Sequence, residues 1–529
     1  MRAFRLVELS GFRQSDLRQG GGFCGGVRRL RVGMALALLG ALALAAPAQH
    51  SRKPPTKKPS VGGKAPASKK SAKSQTGGIR AGKSRSNSRK YSSKNSAAHA
   101  AQSHTARGRS SRATAHVSRG RAESRAVETA LRPNIIARIQ VALSDPDVGI
   151  EGGQHLAPFF AQLKSLEAAP RSSEVRILQF GDSHTAADLF TEDLRTLFQD
   201  KFGDGGAGFS LPGRPFAGYR IHGTTRAMSG GWSELGTHLS DIGDGMVGMG
   251  GICMATDRAG EWVSLDANAS SLRVQYLVQA GGGQIAIYDG DTLLQTLPTA
   301  GDATSAAVFT TALTPGMHHI EVRTLEDAPV RLLGLVTENA GGATYEAMGI
   351  NGAEASLFLR WNLAIAQPLM LDRPPSLIVL AYGTNEASDR NWSEQGYGVM
   401  FSNVILRCHQ LAPKVPILVI GPPDRAIRVG RGRHAAFQEF DGVDRIVAAQ
   451  RAVCRRMDCA FWDQRRRMGG FGAMRDWTAV GWAQPDHTHF SVDGYTELAA
   501  ALFSDIVRQY AAYQTTATAS TNVGTGRAP

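Results

Sequence analysis

Cysteine is scarce in this chain, five residues in 529, and that excludes a disulfide-built scaffold. Cys24 lies in the N-terminal leader. Cys253, Cys408, Cys454 and Cys459 could form one or two bridges, and their spacing leaves the pairing open. No CxxC or HxxxH cluster offers the ligand spacing of a zinc site, so no metal is expected. Long apolar runs are equally rare. Met34 to Ala46 is too short for a comfortable membrane span, and no other stretch is long and apolar enough. Between residues 50 and 125 large apolar side chains are almost absent, and Glu123 is the only acid. Such a segment cannot bury enough surface to fold.

What is present begins with charge. The formal net charge is +15, but it is unevenly held. Residues 50–125 carry 20 Lys and Arg, and residues 1–49 add seven Arg against Glu8 and Asp16. Residues 126–529 are left with 33 basic and 42 acidic side chains, a net of −9. A folded nucleic-acid reader would concentrate positive charge on a structured face, so no nucleic-acid partner is expected. Arg28-Arg29-Leu30-Arg31, the apolar run and Ala46-Pro47-Ala48 read together as a secretory signal peptide over residues 1–48, with an uncleaved anchor as the competing reading. Residues 49–125 read as a disordered basic linker. It is a solvated spacer, with electrostatic contact to anionic envelope polymer or lipid as a secondary effect.

Foldable sequence starts near residue 126. Residues 135–143 and 156–166 have helical periodicity and lead into the apolar run 176–180. Gly181-Asp182-Ser183-His184 then turns the chain, and Phe190, Leu194, Leu197, Phe198 and Phe202 recur at helical spacing. Thr185 with Asp188 suggests a capping box at that helix's start. Residues 210–342 change character: runs at 261–266, 272–279, 284–288, 307–311 and 318–323 are short, strand-like and separated by Gly, Pro and Asp turns, which predicts a β-sandwich. Trp232, Trp262 and Tyr288 within it could stack on sugar rings or simply pack.

Strand and helix alternate again from residue 343. Runs 377–381 and 417–420 suit buried parallel strands, and 460–462 is a short third one. Helices are expected at 397–411, at 434–457 and from 495 to 510, with a loose tail over residues 515–529. The pattern is a βα alternation interrupted after its first unit.

Four local signals bear on chemistry. Ser183 sits at a strand-to-helix turn, where backbone N–H groups favour developing negative charge. Gly349-Ile350-Asn351-Gly352-Ala353 is a glycine-bearing turn, and Gly383-Thr384-Asn385-Glu386 follows a strand directly. Asp486-His487-Thr488-His489 precedes the last helix. In this order the blocks resemble those of the SGNH (GDSL-type) hydrolase superfamily. GDSHTAADLFTEDLRTLFQDKFGDGGAGF, GTNE and QPDHTHFSVDGY are similar to its periplasmic, peptidoglycan O-acetylesterase-like branch.

The resemblance implies a three-layer α/β/α, flavodoxin-like hydrolase domain, residues 126–209 and 343–514, interrupted by a carbohydrate-binding-like β-sandwich at 210–342. It implies Ser183 as nucleophile, His489 as general base then acid, and Asp486 as the group that orients it. The oxyanion donors would be the N–H groups of Ser183 and Gly352 and the Asn385 amide. His487 competes with His489, but only His489 stands three residues after the aspartate. His184 could contact substrate or pack. Glu386 replaces the aspartate that many members carry after the Asn. No cofactor is implied. The expected activity is removal of O-acetyl groups from envelope carbohydrate, peptidoglycan first, by an exported enzyme of the periplasm or cell envelope. An O-acetyltransferase with the same triad, or a non-catalytic wall-binding protein, are the alternatives.

Overall fold

A computed structural model describes residues 131–236 and 243–523. The expected signal peptide and basic linker lie outside the described residues. A six-stranded sheet forms the frame, in the spatial order Ile150–Glu151, Ala460–Trp462, Ile417–Ile420, Leu377–Ala381, Glu174–Gly181, Gly342–Gly349. Every neighbouring pair is parallel except the first, which is antiparallel.

Side-chain alternation sends successive residues of each strand to opposite faces. Leu178, Phe180, Ile378, Leu380, Val419 and Phe461 pack against the helices Leu363–Asp372, Glu394–Leu411 and Gly442–Arg456. Ile177, Val379, Leu418, Ile420 and Trp462 pack against Ala157–Ala168, Phe190–Phe202 and the closing helix Val492–Val523. Two separate apolar cores on two faces make the three-layer α/β/α arrangement.

Among the described residues, nine further strands between Gly208 and Glu338 form the interrupting β-domain. Where the sequence suggests short strands at 261–266 and 272–279, the chain forms one strand, Trp262–Val278, and 307–311 joins 318–323 in Ser305–Thr324. The two pair along most of their length, with a register break between Ala312 and Gly316. On one side of that break residues 263–266 pair with Thr225–Met228, and 320–324 pair with Gln284–Asp289. On the other, residues 271–276 pair with Val330–Glu338. The long strands thus pass from one layer to the other. Val263, Leu265, Ile287 and Ile320 of the first layer share a core with Val274, Tyr276, Leu332 and Met254 of the second. That is a β-sandwich closed by shared strands.

Four local expectations are corrected. Thr185 and Asp188 form no capping box: the helix is split into Ser183–Ala186 and Phe190–Phe202. Thr185 Oγ1 accepts from Gln179 instead, and Asp188, at φ +46°, pairs with Arg195. The helix expected from 434 begins at Gly442, because Ala436–Glu439 pairs with Ala426–Val429 as a hairpin. The closing helix runs on to Val523, beyond residue 514. Gly and Pro are absent from its interior past Gly494, and Thr515 and Thr516 hydroxyls bond carbonyls four residues back. Last, all four described cysteines are buried free thiols rather than bridged.

Candidate active site

Ser183 stands at the carboxyl end of the strand Glu174–Gly181, one residue past a turn made by Gly181 and Asp182. A Cβ on Gly181 would overlap Thr185 and the Ala381 carbonyl, so the turn can be this tight only with glycine. Buried Asp182 caps the short helix by accepting the His184 N–H at 3.0 Å. Parallel strands bring the other blocks to the same edge: Gly349 is in register with Gly181, and so is Ala381, just ahead of Gly383-Thr384-Asn385. An open α/β sheet collects its ligand-binding groups at this edge.

Ser183 Oγ lies 2.9 Å from His489 Nε2, and His489 Nδ1 lies 2.7 Å from Asp486 Oδ2. The other Asp486 oxygen accepts the backbone N–H groups of Thr488 and His489 at 2.9 and 3.0 Å. Burial acts to raise the Asp486 pKa, but these hydrogen bonds outweigh it and hold the carboxyl below its ordinary range. A carboxylate so held sets the tautomer with the proton on Nδ1, leaving Nε2 free to take the serine proton. His487 turns elsewhere. Its backbone is left-handed, at φ +54°, and its ring stacks on Phe437 with 4.0 Å between centroids.

Gly352 has φ +75°, a conformation that favours glycine, and its N–H has no hydrogen-bond partner among the described residues. The Ser183 N–H is likewise without one. Asn385 donates one amide proton to the Ala353 carbonyl at 2.9 Å, which leaves the second available. Next to it, Glu386 is fully buried and accepts the Ala355 N–H at 2.9 Å. The GTNE block therefore grips the Gly352 loop at two points. Burial pushes the Glu386 carboxyl up to about 8, against the opposing Ala355 hydrogen bond, so at neutral pH it is held mostly as the neutral acid. Sequence reading placed Glu386 outside the triad without seeing this anchoring; its adjacency to Asn385 was the available signal.

His184 fills the space behind the site. Its Nδ1 is 2.9 Å from the Tyr495 hydroxyl, and its ring lies 5.1 Å from that of His489. Burial, and then the neighbouring His489, push its pKa down to about 3, so it stays neutral beside an imidazolium. Burial also raises Asp182 to about 6, despite the His184 N–H. Tyr495 gave no sequence signal beyond its place in the apolar stripe of the last helix.

A profile of the GDSL-like Lipase/Acylhydrolase family matches residues 315–496, which include Gly352, Asn385, Asp486 and His489 but not Ser183. Among solved structures, a peptidoglycan O-acetylesterase is 28% identical, with a TM-score of 0.57; the match covers 67% of this chain and 96% of that one. The chain is similar to the SGNH (GDSL-type) hydrolases. It is an ester hydrolase of the peptidoglycan O-acetylesterase-like kind. A family two carbohydrate esterase from Cellvibrio japonicus also matches, at 11% identity and a TM-score of 0.25, over 55% of this chain and 99% of that one. A counterpart from Clostridium thermocellum matches at 14% and 0.21, over 53% and 97%. A search of curated proteins found no match. The geometry brings Ser183, Asp486 and His489 into one hydrogen-bonded line, with the Gly352 loop tied to Asn385.

Proposed function

We propose that the protein is an exported serine esterase that removes O-acetyl groups from carbohydrate of the cell envelope, peptidoglycan in particular. The observation that carries the chemistry is the hydrogen-bonded line from Ser183 through His489 to Asp486. The substrate rests on the similarity to a peptidoglycan O-acetylesterase over 67% of the chain. In this reading Ser183 Oγ attacks the acetyl carbonyl as His489 Nε2 takes its proton. The N–H groups of Ser183 and Gly352 and the free Asn385 amide proton hold the oxyanion. His489 returns the proton to the departing sugar hydroxyl, leaving acetyl-Ser183. Water, deprotonated by His489, then releases acetate. The signal-like segment supports export, and the basic linker supports electrostatic contact with anionic polymer or lipid of the envelope.

The test is acetate release from O-acetylated muropeptides, followed by mass spectrometry, against acetylated xylan. Release from muropeptides by the wild type and none by Ser183→Ala is the expected result. Absence of a covalent phosphonyl adduct on Ser183 with a serine-reactive phosphonate would refute the reading. Turnover only with an added sugar acceptor would reassign the protein as a transferase.

A further inference from the structure

Six arginines are buried among the described residues. Five sit against a carboxylate: Arg176 and Arg373 on Glu346, Arg195 on Asp188, Arg465 on Asp424 and Arg467 on Asp505, at 2.6 to 3.0 Å. Arg226 is the exception. It is 6% exposed, and no carboxylate lies within ion-pair distance among the described residues. Its Nη2 donates to the hydroxyls of Ser210 and Thr224, its Nε is buried without a partner, and its guanidinium lies 5.0 Å from the Tyr219 ring centroid. Asp188 is close enough to be felt, but it is already paired with Arg195. A buried charge without an ion-pair partner is costly to desolvate, so a fold that keeps one has a use for it.

Arg226 lines a cleft of about 630 Å3 together with Arg214, Arg220, Phe216 and Tyr219. Arg214 spends its Nε on the Arg226 carbonyl, and Arg220 is exposed; neither has an acidic partner among the described residues. Three arginines thus line one cleft, although residues 126–529 carry a net charge of −9. The cleft is also tied to the catalytic serine's own helix turn. Its loop donates the His222 N–H to Asp188 at 2.8 Å, five residues beyond Ser183. Arg220 is within electrostatic reach of Tyr495, whose hydroxyl meets His184.

The geometry points to a carboxylate-binding subsite: the cleft holds an acidic group of the acetylated glycan while Ser183 faces the ester. Guanidinium forks match carboxylates bidentately, and the Phe216–Tyr219 pair, 5.2 Å apart, gives the cleft an apolar wall beside the charges. The substrate class narrows accordingly, from acetylated glycans in general to those carrying carboxylates, on a peptide or on the sugar itself. This rests on the esterase reading for its substrate, but not for its binding test.

The full chain carrying Ser183→Ala is titrated calorimetrically with an O-acetylated disaccharide tetrapeptide and with an O-acetylated oligogalacturonate. Each is used with free and with amidated carboxyls. At least one free acid should bind about tenfold or more tighter than its amide, the factor expected for a charge-assisted hydrogen bond. Adding Arg214→Gln and Arg220→Gln, both at exposed positions, should shrink that difference severalfold, with Arg226 holding the remainder. Preference for the peptide probe assigns the carboxylate to peptide, and preference for the galacturonate to a uronic acid. Equal binding of acid and amide in both pairs, or a preference undiminished by both substitutions, overturns the subsite. Wild-type acetate release judges the esterase reading separately, since binding is measured without turnover.

Discussion

Replacing Glu386 by glutamine should make this enzyme more stable, by an amount that depends on pH. The carboxyl is fully buried, and burial raises it from 4.5 to about 8. The folded chain therefore binds more protons than the unfolded chain between these values. Its contribution is most favourable below pH 4.5 and is lost as pH rises through 8. At pH 7 the unfolded group has ionised over about 2.5 pH units and the folded one hardly at all. At about 1.4 kcal/mol per unit the deficit is about 3 kcal/mol. Glutamine keeps an acceptor for the Ala355 N–H and has no charge to suppress. Glu386→Gln should thus gain about 3 kcal/mol over wild type at pH 7, and nothing near pH 4. Urea unfolding followed by tryptophan fluorescence at several pH values, with unchanged m-values, measures it. A difference flat across pH would refute the reasoning, because Glu386 would then titrate as an ordinary carboxyl. The companion variant Glu386→Ala leaves the Ala355 N–H without its acceptor and loosens the Gly352 loop. Its kcat on an aryl acetate should fall about a hundredfold, the effect of losing one oxyanion donor.

Asp486→Asn should lower kcat by about four orders of magnitude with little change in KM, since the amide imposes the wrong imidazole tautomer; steady-state kinetics on aryl acetates reads this. Asn385→Ala removes a proposed oxyanion donor and the tie to Ala353, and should cost about a hundred- to a thousandfold in kcat in the same assay. His184 is held at about 3 against 6.5 unfolded, so its stabilising contribution is present above pH 6.5 and lost as pH falls toward 3. The stability gap between wild type and His184→Gln should therefore shrink by about 2 kcal/mol from pH 8 to pH 5 in denaturant titrations. Burial alone would raise Glu346, but Arg176 and Arg373 hold it at about 2. Removing that charge with Glu346→Ala leaves buried Arg176 without a carboxylate and Arg373 with Glu338 alone, and should cost about 3 to 5 kcal/mol in chemical denaturation.

Most of the frame was legible from local pattern. The apolar runs 377–381 and 417–420 are central strands because nothing polar interrupts them, and a strand covered on both faces needs that composition. The closing helix followed from its apolar stripe, although its end was misjudged where polar Thr replaces that stripe without any residue that breaks a helix. Two kinds of feature escaped. Short local signals lost to longer-range pairing: Thr185-x-x-Asp188 has the spacing of a cap, but Arg195 and His222 N–H claim the aspartate. Residues 434–441 were drawn into a hairpin by a partner strand.

The amino-acid sequence alone set which chemistry is possible. A Gly-Asp-Ser turn, a Gly-bearing turn, an Asn after a buried strand and an Asp three residues before a His carry their reactivity in residue type and spacing. Only the tertiary structure decided how they meet and what supports them. The parallel register sets Gly349 and Ala381 beside Gly181, and chain folding closes 306 residues to a 2.9 Å contact between Ser183 and His489. Burial is likewise a property of the assembled fold. It turns Glu386 into a largely neutral anchor, keeps His184 uncharged, and leaves Arg226, among the described residues, as the buried arginine without a carboxylate. Desolvation depends on every neighbour at once, and no local stretch of sequence encodes it.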